Sequence, residues 1–299
     1  MGAPVGSAAV ESPAGDDAFC DPPRVAVATA VATALAEDLL PLGDLTASLL
    51  PKAATIEATF SAREAGVVAG RACVVETYAQ LDPAVAVEWL LPDGSAFEPG
   101  AVVGRVRGPL APVLTGERTA LNFLRHLSGV ASLTRRFVDL ASAASNGRTR
   151  IIDTRKTTPG LRALEKAAVR AGGGFNHRAN LSDAIMVKDN HLAGLSIADA
   201  VVRARKLWPG RPVHVECDTF DQLDAILATD ADRAMVDNFT PDDVALAVAR
   251  VAGRIELEVT GGVTLATVAA YAQSAPDFIS VGAITQSAGV VDLGLDLSK

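Results

Sequence analysis

The spacing of apolar positions changes three times along the chain. From Arg24 to Leu40, Val27, Val31, Leu35 and Leu39 recur four apart, which predicts an amphipathic helix that stops before Pro41. From Thr55 to Leu114 the period falls to two. Ile56, Ala58 and Phe60 alternate with Thr55, Glu57, Thr59 and Ser61, and Val85, Val87 and Trp89 repeat the pattern. Turn signals at Pro92-Asp93-Gly94 and Pro99-Gly100 separate such runs, so this region predicts a small α+β layer on an antiparallel sheet. A long helix is expected from about Gly116 to Ala144.

Beyond Arg150 short apolar runs alternate with helical stretches. The runs are Ile151-Ile152, Ala184 to Val187, Val213 to Val215, Ala234 to Val236, Ile255 to Val259 and Phe278 to Val281. Three of the intervening helices open with cap-like signals, at Ser196, Thr219 and Thr240. A row of βα units implies a parallel sheet, and the short spacing favours an α/β barrel over an open dinucleotide-binding sheet. No GxGxxG follows a strand and no GxxxxGK(S/T) occurs, so the common nucleotide fingerprints are absent.

What stands at each predicted strand end matters most. The endings are Asp153-Thr-Arg155-Lys156, Lys188-Asp189-Asn190-His191, Glu216, Asp237, Glu258 and Gly282. Glu216, Asp237 and Glu258 are 21 residues apart, one per unit. A lone acid after a strand is ordinarily a loop residue or cap. Six such endings in register predict one shared mouth at the C-terminal face of a barrel.

Length and composition narrow this further. A chain of 299 residues suits two domains, or one barrel with an appendage, and 49% apolar residues suffice for a sizeable core. The net charge of −8 argues against nucleic acid as a partner. It is an average over unlike parts. Arg150 to His191 holds eight Lys/Arg against four acids, so that segment is +4 and the remainder −12. An anionic ligand is expected there. Cys20, Cys73 and Cys217 show no ligand spacing, which predicts a reducing, cytoplasmic setting without structural zinc or disulfides. The first residues lack a basic start and an apolar core, so no signal peptide is expected, and no apolar run is long enough for a membrane span.

Arg155, Lys156, His177, Arg178 and Lys188 form a set suited to carboxylates or phosphates. Arg155 and Lys188 directly follow predicted buried strands, where a purely structural cation would be costly. Opposite them, Glu216 and Asp237 can hold Mg²⁺ through a substrate's phosphates, and can equally stabilise a developing carbocation. Thr260-Gly261-Gly262 and Gly282-Ala283 offer backbone N–H groups at helix starts for a phosphate.

Several long motifs are also familiar. Asp153-Thr-Arg-Lys-Thr-Thr-Pro-Gly-Leu-Arg162, Glu165-Lys166, Gly172-Gly-Gly174, Asn176-His-Arg178, Leu181-Ser-Asp183 and Lys188-Asp-Asn-His191 occur in order. So do Glu37-Asp38, Gly43-Asp-Leu-Thr46, Gly116-Glu-Arg-Thr-Ala-Leu-Asn122, His126-Leu-Ser-Gly129, Val236-Asp-Asn238 and Leu257-Glu-Val-Thr-Gly-Gly262. From about residue 24 to 297 the chain resembles the quinolinate phosphoribosyltransferase (nicotinate-nucleotide pyrophosphorylase) family.

That resemblance implies an N-terminal α+β open sandwich over residues 24–125, joined by residues 286–299, and an incomplete parallel α/β barrel over 126–285, behind a flexible tail of residues 1–23. It implies transfer of the phosphoribosyl group of phosphoribosyl pyrophosphate to quinolinate with decarboxylation, giving nicotinate mononucleotide for NAD synthesis, in a Mg²⁺-dependent homodimer. Arg155, His177, Arg178 and Lys188 match quinolinate-binding positions, joined by Arg118 of the partner subunit. Lys156 matches a lysine near the phosphoribosyl donor. Glu216 and Asp237 match the acids facing ribose and metal, and Thr260, Gly261, Gly262 and Gly282 the phosphate cradle, with Ala283 beside them. Glu258 is expected in the same mouth. Lys156 and Lys188 are both candidates for assisting decarboxylation.

Thr260 replaces a usual serine, Gln286 a common histidine and Ala179 a frequent glycine, while Arg125 is expected to be a helix-face residue without a role. Three rivals remain: a pyrophosphorylase of molybdenum-transport operons acting on another acceptor, a Schiff-base barrel lyase using Lys156 or Lys188, and a non-catalytic anion binder.

Overall fold

The computed structural model describes residues 20–192 and 194–297. The predicted first helix is α1 (Arg24–Leu39), with Val27, Val31 and Leu35 buried. It ends where Leu40 turns to extended backbone ahead of Pro41. Of the predicted tail, residues 1–19 lie outside the described residues, and its last part is not loose. Cys20 packs against the core, and the Asp21 carbonyl accepts a hydrogen bond from Arg170 Nη2 at 3.0 Å.

An antiparallel sheet follows, built from β1 (Thr55–Ala62), β3 (Ala86–Trp89), β5 (Val102–Pro109) and β12 (Leu293–Leu297) in the order β12-β1-β5-β3. A small ribbon of β2 (Gly66–Val67) and β4 (Ala96–Phe97) lies apart. The period-two pattern sorts the two faces. Ala58, Phe60 and Val106 are buried with residues of α2 (Arg71–Leu81) and α3 (Leu110–Ser145), while Glu57, Arg105 and Arg107 are exposed. Arg125 is not idle: it reaches from α3 to the Val291 carbonyl at 3.3 Å and to Asp292 at 3.2 Å, tying down the approach to β12.

Helix α3 begins six residues before the expected Gly116 and runs for 36 residues. Its N-terminal half packs Val113, Ala120, Leu121 and Leu124 against the antiparallel layer. Its C-terminal half packs Leu127, Val130, Phe137 and Ala141 into the second core.

That second core surrounds the parallel sheet: β6 (Arg150–Ile152), β7 (Ile185–Val187), β8 (Val213–Cys217), β9 (Arg233–Asp237), β10 (Glu256–Thr260) and β11 (Phe278–Ser280), in the order β6-β11-β10-β9-β8-β7. All six predicted strands are present. Consecutive in the chain, β6 and β7 stand at opposite edges, so the barrel is incomplete. Phe175, just past α4 (Arg162–Ala171), bridges Ile152 and extends the β6 edge.

Alternation places Val213, Val215, Ala234, Val236, Leu257, Val259 and Ile279 outward against the covering helices. The inner face carries His214, Glu216, Arg233, Met235, Glu258 and Thr260 instead. The register aligns them in rows: His214 beside Arg233, Glu216 and Glu258 flanking Met235, and Asp237 beside Thr260. After the short α5 (Asp189–Leu192), the helices α6 (Ile197–Leu207), α7 (Phe220–Leu227) and α8 (Pro241–Val251) begin at the three predicted caps. Ser196 accepts from the Asp199 N–H, Thr219 from Gln222, and Thr240 forms a reciprocal capping box with Asp243. Among the described residues no helix is long and apolar enough to cross a membrane.

Candidate active site

The segment between β6 and β7 carries most of the cations, and a buried scaffold shapes it. Asp153 is fully buried. It accepts from Lys166 Nζ, from the His177 N–H at 2.8 Å and from Asn176 Nδ2 at 2.6 Å. Lys166 also donates to the His177 carbonyl at 2.9 Å. Arg162 binds Thr157 Oγ1 and the carbonyls of Arg155 and Ala179 at 3.0–3.3 Å. Two loops distant in sequence are thus held together, one presenting Arg155 and the other Arg178. Their guanidiniums feel each other: burial, then the charge of Arg155, pushes Arg178 below the ordinary arginine value.

A cavity of about 350 Å³ opens at this mouth. That is within the ~300–1,000 Å³ usual for small-molecule sites. Arg155, Lys156, His177, Arg178, Lys188, Glu216, Glu258 and Thr260 line it. Lys188 Nζ lies 2.5 Å from Glu216 Oε2. Among the described residues no carboxylate pairs with Arg155, Lys156 or Arg178, and Arg155 Nε is buried without a hydrogen-bond partner. An unmet buried donor beside a second guanidinium is a receptor for an anion. A larger cavity of about 720 Å³ between α1 and α3 lacks any such set of cations.

Glu258 lines the same cavity from its base: it is the third of five residues in β10 and fully buried. Arg233 Nη1 donates to it at 2.9 Å, and His177 Nε2 faces it at 3.4 Å. Burial alone would raise its carboxyl, but His177 and Arg233 outweigh that and hold it below the usual carboxylate range. The 21-residue spacing made Glu258 look like a third strand ending, whereas β10 runs two residues further, to Thr260.

His177 also belongs to this floor. Its Nδ1 accepts from the Arg178 N–H at 2.6 Å, and its Nε2 is turned toward Glu258. The ring of His214 meets it edge-on, with centroids 5.3 Å apart. Burial, then the charge of Arg233, lowers His214 to a pKa of about 4, so it is neutral near pH 7.

Asp237 ends β9 beside Thr260 and Gly261. A Cβ at Gly261 would fall on Asp237 Oδ1, and its φ of +88° is itself a glycine conformation. The Gly261-Gly262 pair forms a turn but does not start a helix, since α9 (Val268–Ala272) begins six residues later. Gly282 does precede a helical turn, α10 (Ala283–Gln286), and approaches the Lys156 side chain. Arg118 is exposed on α3 and is not part of the cavity. Among the described residues no group of three or more His, Cys, Asp and Glu side chains is placed to hold a metal. Glu216 and Asp237, two carboxylates on adjacent strands, fit a Mg²⁺ whose remaining ligands come from phosphate oxygens and water.

Sequence reasoning missed Thr154, Met186, Met235 and Ser280, which complete the cavity wall, and Arg233 and His214 below it. The signal was available. Counting back by two from Lys188, Asp237 and Glu216 marks Met186, Met235 and His214 as inward-facing.

An incomplete α/β barrel with unpaired guanidiniums at the strand ends and acids opposite defines an enzyme class that handles polyanionic substrates. Comparison with known proteins makes this specific. Residues 44–128 match the family model for the quinolinate phosphoribosyl transferase N-terminal domain, and residues 130–296 that for the C-terminal domain. A probable nicotinate-nucleotide pyrophosphorylase (carboxylating) of Bacillus subtilis is 40% identical over 259 residues, 86% of this chain and 88% of that protein. A nicotinate-nucleotide pyrophosphorylase (carboxylating) of Mycobacterium leprae is 39% identical over 274 residues, 88% of this chain and 94% of its own. The solved nicotinate-nucleotide pyrophosphorylase of Francisella tularensis superposes with a TM-score of 0.90 at 38% identity, covering 94% of this chain and 99% of that one. The chain belongs to the quinolinate phosphoribosyl transferase family, as its motifs implied.

Proposed function

We propose that this protein transfers the phosphoribosyl group of phosphoribosyl pyrophosphate to quinolinate with loss of CO₂, forming nicotinate mononucleotide and pyrophosphate. The observation that carries this reading is the pair of guanidiniums, Arg155 and Arg178, close enough to feel each other's charge, neither within ion-pair distance of an acid among the described residues, in one cavity with Glu216. Two neighbouring carboxylates on a pyridine ring suit two forked donors. The ring nitrogen then attacks the anomeric carbon as pyrophosphate leaves, and Glu216 and Asp237 stabilise the positive charge that develops on the ribose. Glu216 and Asp237, together with substrate phosphates, would hold a Mg²⁺, whose charge would offset that on the leaving pyrophosphate.

Decarboxylation follows. The bond from C2 to its carboxylate breaks, the electron pair stays on C2, and a proton then adds there. Lys188 is committed to Glu216, so Lys156 is the lysine whose ammonium remains available to the ring and donor. In this reading the backbone of Gly261, Gly262 and Gly282 cradles phosphate oxygens.

The working unit in this reading is a cytoplasmic homodimer. The loop after α1 exposes Leu40, Leu42, Leu45 and Leu49 by 65–82%. Such a patch on a soluble protein calls for a cover. Asp38 and Asp44 tie that segment to Thr119 and Thr115 on α3, the helix that exposes Arg118. In this reading a second copy covers the leucines and receives Arg118 at its own mouth.

The test is a product assay with quinolinate, phosphoribosyl pyrophosphate and Mg²⁺, with nicotinate as competing acceptor. Nicotinate mononucleotide and CO₂ are expected from quinolinate. No product from quinolinate alongside product from another acceptor would overturn the reading.

A further inference from the structure

The exposed Lys156 has a main chain fixed from both sides. Its N–H donates to Thr154 Oγ1 at 3.0 Å, and its carbonyl accepts from Thr285 Oγ1 at 2.7 Å. Thr285 is only 2% exposed, and it lies on α10, 129 residues away in sequence. The same turn meets the lysine stem. A Cβ added at Gly282 would stand 2.9 Å from Lys156 Cδ and 3.7 Å from Lys156 Cβ. Gly282 has ordinary helical backbone, φ −70° and ψ −28°, which any residue adopts. Backbone geometry therefore gives no reason for glycine here; the lysine stem lying across it does. The Val281 N–H donates to the Ile152 carbonyl at 2.9 Å, so the ends of β11 and β6 advance as one piece.

We propose that Thr285 and Gly282 are positioning residues that together seat Lys156, the hydroxyl fixing its main chain and the missing side chain leaving room for its stem. Neither acts on the substrate in this role. The inference rests on the reading of Lys156 as a site residue given under Proposed function. A terminal ammonium on a four-carbon stem loses much rotamer freedom when placed. Seating its first three carbons in advance reduces what binding must order, and small misplacements at a reacting centre are costly.

The experiment is a set of double-mutant cycles on the full-length protein. Thr285→Val and Gly282→Ala are each expected to lower kcat/KM by roughly ten- to a hundredfold. Thr285→Ser, which keeps the hydroxyl, should stay near the parent. In a Lys156→Ala background Thr285→Val should not reduce the rate further. Where that background is too slow to assay, calorimetric Kd for phosphoribosyl pyrophosphate reads the same cycle. Circular dichroism confirms folding, and if Gly282→Ala does not fold, the Thr285→Val and Thr285→Ser pair carries the test. A Thr285→Val effect that persists undiminished without Lys156, or a Thr285→Val protein equal to the parent, would overturn the seat while leaving the site intact. A fully active Lys156→Ala protein would instead overturn the reading of Lys156 itself.

Discussion

The floor and the rim of the incomplete barrel use the same kinds of side chain and treat them oppositely. In the floor, Glu258 is met by Arg233 and His177, the Arg233 guanidinium also lies 4.0 Å from the centre of the Phe278 ring, and His214 is held neutral. At the rim, neither Arg155 nor Arg178 has an acid within ion-pair distance among the described residues, Asp183 acting on Arg178 only from further off, and Arg155 keeps a buried donor unused. The floor's charges cancel within the chain; the rim's do not. Charge that a fold leaves unbalanced at a cavity is charge reserved for a ligand, whereas a charge equally deep but matched belongs to the scaffold.

The contrast breaks most visibly if the rim is shared between subunits. Arg118→Ala and Lys188→Ala proteins, each inactive alone, should regain about a quarter of parental activity when mixed, because half the dimers are hybrid and each hybrid has one intact site. No recovery, with hybrids shown by native mass spectrometry, would confine the rim to a single chain. Glu258→Leu removes the floor's central charge and leaves Arg233 only the exposed Glu256 as partner, so urea unfolding should show a loss of roughly 1–3 kcal/mol. A loss under 1 kcal/mol would show that the floor does not depend on its internal pairing.

Arg155→Ala should do the reverse. Quinolinate affinity should fall on the order of 100-fold, read by calorimetry, with the urea midpoint nearly unchanged. Unaltered affinity would remove Arg155 from the receptor. The smallest effect concerns pH. His214 titrates near 4 in the folded protein against an ordinary 6.5, so between these values the unfolded chain binds more protons. Stability from this group is therefore full above pH 6.5 and declines as pH falls toward 4. His214→Phe should flatten that part of the profile, and an unchanged slope would place the titration elsewhere.

Much of this was legible in the sequence. All six parallel strands, three helix caps and the grouping of Arg155, Lys156, Arg178, Lys188 and Glu216 follow from periodicity and strand endings. What misled has physical causes. The start of α3 was expected at about Gly116, yet the helix begins at Leu110: Pro112 is tolerated in its first turn, and Gly116 is where Tyr78 and Leu81 pack against it. Glu258 shares the spacing of Glu216 and Asp237, but spacing along a chain does not say how far each strand continues past the acid. The pairing of Thr285 with Lys156 had no sequence signal, because a carbonyl acceptor leaves no mark on residue identity.

One feature of the frame bears on how the molecule comes apart. Helix α3 lends one half to each hydrophobic core, and the two family domains meet at residues 128–130, inside it. Melting either layer strips a partner from the other, so heating should give one cooperative transition rather than two. Cutting the chain at that junction would produce two fragments, each with a frayed half-helix and an uncovered apolar face, and neither would be a sound starting point for expression on its own.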